Sequence, residues 1–82
     1  KKYPQVLINI KVSPEGRAKF ATDLDIAEKI DSVKNILGKS GRILVRVSGT
    51  EPLVRVMLEG ESEEQIQKLA QETADLIKER LS

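Results

Sequence analysis

The sequence predicts a small α+β fold, an antiparallel sheet with two helices packed on one face. Three observations lead there. Residues 6–12, 42–47 and 53–59 alternate apolar and polar side chains with a period of two, as half-buried strands do. Residues 25–37 and 62–81 repeat apolar side chains at helical spacing. The order is therefore strand, helix, strand, strand, helix, and a sheet with both helices on one side is the simplest two-layer way to bury every apolar face. The 82 residues are expected to make one domain, near the lower size at which a core sustains itself.

Each element has its own justification. Tyr3-Pro4-Gln5 reads as an entry linker, because Pro4 biases Tyr3 towards an extended backbone. Val6, Ile8, Ile10 and Val12 then give the first strand its core row. Ser13-Pro14-Glu15-Gly16 ends that strand with turn residues. Residues 17–24 are ambiguous, and Ala18, Phe20 and Leu24 are expected to form a helical turn pinned to the core. The first helix carries Ile26, Ile30, Val33 and Leu37 on one stripe, with Asp23 or Asp25 as N-cap and Gly38 as its stop. Ile43, Val45 and Val47 form the core row of the second strand, and Val54, Val56 and Leu58 that of the third. Ser62-Glu63-Glu64-Gln65 matches a capping box, followed by the buried stripe Ile66, Leu69, Ala70, Thr73, Ile77 and Leu81.

Composition excludes several kinds of function. With 14 Lys and Arg against 13 acids the net charge is +1, which gives no nucleic-acid or membrane signal. Tyr3 and Phe20 are the only aromatic residues, so platforms for stacking bases are nearly excluded. The absence of Cys and His removes thiol catalysis, the usual zinc sites and a histidine acid or base. It also fits a reducing compartment, and a cytoplasmic location is expected. Nothing resembles a signal peptide or a membrane span.

The chemistry concentrates between the second and third strands. Alternation places Arg46 and Arg55 on the face away from the core, each near the loop Ser48-Gly49-Thr50-Glu51-Pro52. A small hydroxyl-bearing loop flanked by two guanidinium groups suits an oxyanion such as phosphate. Gly49 permits close backbone approach, and Arg55 can make paired hydrogen bonds to phosphate oxygens. The same residues also make an acceptable five-residue hairpin connection with arginines on a wet face. Leu7, Leu44, Leu53 and Met57 leave that face unusually apolar, a surface suited to another protein domain. No nucleophile lies beside a base and no metal ligands cluster, so no catalytic residue and no metal ligand is expected in this chain.

The run Arg46-Val47-Ser48-Gly49-Thr50-Glu51-Pro52, continuing through Arg55 to Glu59, resembles the C-terminal signature of the α-D-phosphohexomutases. Tyr3 to Asn9 resembles the opening of their last domain. The likeness spans nearly all of this chain but only the last of the family's four domains. Gly49 is similar to the bacterial branch acting on glucosamine phosphates, since relatives acting on glucose or mannose phosphates often carry Asn there. Val47 departs from the Pro or Lys common at that place, but by alternation it faces the core.

The resemblance implies a TATA-binding-protein-like sheet, with room for a fourth short strand within residues 13–25. It implies that Arg46, Ser48, Gly49, Thr50 and Arg55 grip the phosphate that is not reacting, while a phosphoserine on the first domain exchanges its phosphoryl group with a sugar phosphate. It places Mg²⁺, the phosphoserine and the sugar-selecting loop on the other domains, so the chain is inactive by itself. The implied partners are a phosphosugar substrate and the other domains, with Tyr3-Pro4 as the hinge, in the supply of cell-wall precursors. The competing reading is a small protein- or RNA-interaction module without sugar chemistry. Neutral charge and missing aromatics argue against RNA.

Overall fold

The computed structural model describes residues 3–48 and 50–81. Strand β1 (Gln5–Lys11) leads through helix α1 (Pro14–Lys19) and a 3-10 turn at Phe20–Thr22 into helix α2 (Leu24–Leu37). A second 3-10 turn, Gly38–Ser40, precedes strands β2 (Arg42–Val47) and β3 (Leu53–Glu59), and helix α3 (Glu63–Leu81) completes the chain. The sheet order is β1-β3-β2, antiparallel throughout, so β3 is central and the first strand pairs with the last.

Register lines up the core rows. Val54 stands between Ile10 and Val47, Val56 between Ile8 and Val45, and Leu58 between Val6 and Ile43. Val54, Val56 and Leu58 are fully buried. Each such side chain stabilises the fold by roughly 1.5–3 kcal/mol relative to an exposed position. From the helices, Ile26, Val33 and Leu37 of α2 and Ile66, Leu69, Ala70, Ala74, Ile77 and Leu81 of α3 close the same core. Thr73 is buried among them and satisfies its hydroxyl on the Leu69 carbonyl at 2.8 Å.

The caps follow the residue types. Asp23, not Asp25, caps α2, its carboxylate accepting from the Ile26 amide at 3.1 Å. Gly38 ends that helix with φ +60°, a conformation that costs a side chain dearly. Ser62 Oγ accepts from the Gln65 amide at 3.2 Å at the start of α3.

Residues 13–25 differ from expectation. No strand forms there; residues 14–22 are helix α1 and the 3-10 turn. Ser13 is an N-cap, its Oγ accepting from the Gly16 amide at 2.9 Å, and Pro14 occupies the first helical position, where its missing N–H costs nothing. The Ser-Pro pair that ends β1 thus also starts a helix, so the helical turn expected within residues 17–24 begins earlier, at Pro14, and packs on the end of α3. The anticipated pin is only partly present. Phe20 packs against the core, whereas Ala18 and Leu24 are exposed, Leu24 by 75%. What holds α1 instead is Gly16, whose Cα lies so close to the Leu81 carbonyl that a Cβ would stand 1.8 Å from its oxygen.

Candidate anion site on the open sheet face

The helices cover one face of the sheet and leave the other open. On the open face, register creates cross-strand rows running β1 to β3 to β2. Farthest from the β2–β3 loop is Gln5, Glu59, Arg42; then Leu7, Met57, Leu44; then Asn9, Arg55, Arg46. Lys11 and Leu53 pair at the loop end of the same face.

The outermost polar row is internally neutralised. Arg42 Nε donates to Glu59 Oε1 at 2.9 Å, and Gln5 Nε2 donates to Glu59 Oε2 at 3.4 Å. The row near the loop is the opposite case. Arg46 and Arg55 are direct cross-strand partners, both exposed, and among the described residues neither has an ion-pair partner. Like charges directly opposite each other destabilise a sheet. Nothing in the packing of this face requires two guanidinium groups there, so the arrangement is one that an anion would relieve.

The loop is shaped beside them. The Ser48 amide donates to the Leu53 carbonyl at 2.9 Å, which closes the hairpin. The Leu53 amide donates to the Glu51 carbonyl at 2.7 Å in a tight turn centred on Pro52. Ser48 Oγ accepts from the amides of Thr50 at 3.4 Å and Glu51 at 3.3 Å, so two loop N–H groups converge on one oxygen. The hydroxyl keeps its own proton for donation. Val12 N–H donates to the Pro52 carbonyl at 2.9 Å and ties the end of β1 to the loop.

Of the five residues expected to bind phosphate, Arg46, Ser48, Thr50 and Arg55 are thus gathered at one end of the hairpin. Gly49 lies outside the described residues. No sequence pattern singles out Asn9, which enters the row only through the pairing of β1 with β3. Alternation marks it as wet-face, but which strand it adjoins is not a local property. Behind the hairpin, on the helix side, lies a mainly apolar cavity of about 570 Å³ lined by Pro14, Arg17, Ala18, Phe20, Ala21, Val47 and Pro52. It holds neither arginine of the row. Among the described residues no group of three or more His, Cys, Asp or Glu side chains is placed to hold a metal ion. No helix is long and apolar enough to cross a membrane.

Residues 7–76 match the family described as phosphoglucomutase/phosphomannomutase, C-terminal domain. The chain belongs to this family. Phosphohexomutase relatives are close in sequence. The phosphoglucosamine mutase of Clostridioides difficile strain 630 is 50% identical over 80 residues, covering 98% of this chain and 18% of that protein. That of Caldanaerobacter subterraneus subsp. tengcongensis is 48% identical, with the same coverage of 98% and 18%. The chain therefore spans less than a fifth of the relatives it matches. Among solved structures, Aspergillus fumigatus N-acetylphosphoglucosamine mutase superposes with a TM-score of 0.81 at 28% identity, over 98% of this chain and 16% of that one. A second structure of that mutase, in complex with GlcNAc-6P and magnesium, gives a TM-score of 0.76 at 28% identity, over 100% of this chain and 16% of that one. The α+β fold with its three-stranded antiparallel sheet is thus that of the phosphohexomutase C-terminal domain.

Proposed function

We propose that this chain is the substrate-phosphate clamp of a phosphoglucosamine mutase, the enzyme class that interconverts glucosamine 6-phosphate and glucosamine 1-phosphate. The observation that carries the reading is the adjacent Arg46–Arg55 couple, without an ion-pair partner among the described residues, beside a loop whose amides converge on Ser48 Oγ. Two guanidinium groups offer planar donor pairs to phosphate oxygens; the loop hydroxyls of Ser48 and Thr50 and the backbone at Gly49 add further donors.

The clamp holds the phosphate that does not react. Its grip converts binding energy into orientation of the sugar, so that the other phosphate meets a phosphoserine carried by another domain. Magnesium, and the groups that select the sugar, belong to those other domains. The reaction is that of the whole enzyme, in the cytoplasm, and this chain alone is inactive. Closure of the domain about Tyr3-Pro4 brings the clamp to the cleft.

Arg55→Ala in the full-length mutase tests the reading. It is expected to raise KM and to lower kcat/KM on the order of ten- to hundredfold with the fold unchanged. Unaltered kinetics in a well-folded variant would sink the clamp.

A second reading rests on the apolar row Leu7, Met57, Leu44, in which Leu7 is 61% and Leu44 39% exposed. Such a row suits contact with a protein surface, and charge-reversing changes there would release a partner without touching phosphate binding. The two readings use different rows of one face.

A further inference from the structure

We infer that β1 completes the anion site, with Asn9 and Lys11 as additional direct contacts for a phosphate monoester dianion. The inference rests on the clamp reading of Arg46 and Arg55 and extends it to a third strand.

The argument begins with the two polar rows of the open face. Both are triplets of the same register, one residue from each strand. In Gln5–Glu59–Arg42 the central residue is an anion, and the amide on one side and the guanidinium on the other both donate to it. In Asn9–Arg55–Arg46 an amide and a guanidinium occupy the same flanking places, but the centre is a second guanidinium. The row thus carries donors from all three strands and no carboxylate. Asn9 is exposed and, among the described residues, its side chain has no hydrogen-bond partner. An anion above Arg55 would be met by Arg46 from one side and by the Asn9 carboxamide N–H from the other, as Glu59 is met in the outer row.

Lys11 adds charge at the correct end. It lies two residues beyond Asn9 on the same face, paired with Leu53, the first residue after the loop. The bond from Val12 N–H to the Pro52 carbonyl fixes this end of β1 against the loop. Lys11 is diagonal to Arg55, a separation of about 7–8 Å that a lysine side chain spans. It is exposed and has no ion-pair partner among the described residues. Three cations stand at this end of the face, against Glu51 in the adjoining loop and Asp75 of α3, which lines a groove with Asn9, Lys11 and Lys78, so the local charge stays positive and favours a doubly charged ligand over a singly charged one.

The test is an amide NMR titration of this 82-residue chain with inorganic phosphate, and separately with glucosamine 6-phosphate, against chloride at matched ionic strength. It compares the unsubstituted chain with Asn9→Ala, Asn9→Asp, Lys11→Met and Arg55→Ala. Asn9→Ala and Lys11→Met are each expected to weaken phosphate binding by roughly three- to tenfold. Lys11→Met should also flatten the dependence on salt. Asn9→Asp, which sets a carboxylate beside Arg55, is expected to abolish the response. Both lie on an edge strand with exposed side chains, so the amide spectrum of each variant reports directly that the fold is retained. If Arg55→Ala abolishes the response while the Asn9 and Lys11 variants titrate as the unsubstituted chain does, β1 takes no part and this inference fails alone. If the unsubstituted chain shows no phosphate-specific shifts, or Arg55→Ala binds unchanged, the clamp reading fails and this one with it.

Discussion

Gly16 shows how much a single residue decides. It sits where α1 meets the end of α3, and the Leu81 carbonyl there accepts from the Ser13 amide at 3.1 Å and from Ser13 Oγ at 3.2 Å. Any side chain at position 16 pushes backbone against backbone, which no rotamer relieves. Gly16→Ala is expected to lower stability by about 1–3 kcal/mol, despite the better helix propensity of alanine, and to loosen both Ser13 bonds. Denaturant midpoints, with amide exchange at Ser13, check this. In the sequence Gly16 reads only as a turn residue, because its reason lies at the far end of the chain. Arg46 and Arg55 were legible by contrast: residue type, period and a short polar loop placed both on the wet face near the turn.

Between elements, α2 with its N-cap and α3 are joined at the surface by three ion pairs among the described residues. Lys29 Nζ meets Glu72 at 2.9 Å, and the ammonium holds that carboxyl below its ordinary range. Arg80 Nε meets Asp23 at 2.7 Å while its Nη1 meets Asp25 at 2.9 Å. The Arg80 hydrogen bond, aided by the Ile26 amide, lowers the Asp23 pKa, and Asp23 in turn raises that of Arg80. A carboxylate with a depressed folded-state pKa stabilises the fold above its unfolded value and loses that contribution as pH falls through the folded one. Stability is therefore expected to fall on acidification below the ordinary aspartate range. Asp23→Asn, which retains a capping side chain, should flatten part of that fall in urea midpoints measured against pH. Asp23 was legible as a candidate cap, but its pairing with Arg80 depends on how α3 lies across α2.

For the molecule as a whole, the burial rests on the middle strand. Leu58, fully buried, stands between Val6 and Ile43 in the row nearest the start of α3. Leu58→Ala is expected to cost about 2–5 kcal/mol, a large share of the roughly 5–15 kcal/mol typical of a folded domain. Thermal unfolding should show a correspondingly large drop in midpoint. The antiparallel pairing of β1 with β3 is also the contact that brings Asn9 and Lys11 to the arginines. A variant that loosens β1 should therefore weaken phosphate binding along with stability, whereas Arg55→Ala should separate the two.

The strands, the two long helices, their buried faces and the loop with its flanking arginines were all legible in the chain before folding is considered. Each of these is written in periodicity and residue type over a few neighbouring positions. Tertiary structure alone decided that β3 is central, that α1 seats on the Leu81 carbonyl, and that Asn9 stands beside Arg55. Those outcomes depend on hydrogen bonds and packing between segments far apart in the chain, which local pattern does not encode. The chemistry of the site was local. The placement of Asn9 and Lys11 beside it, through the pairing of β1 with β3, was not.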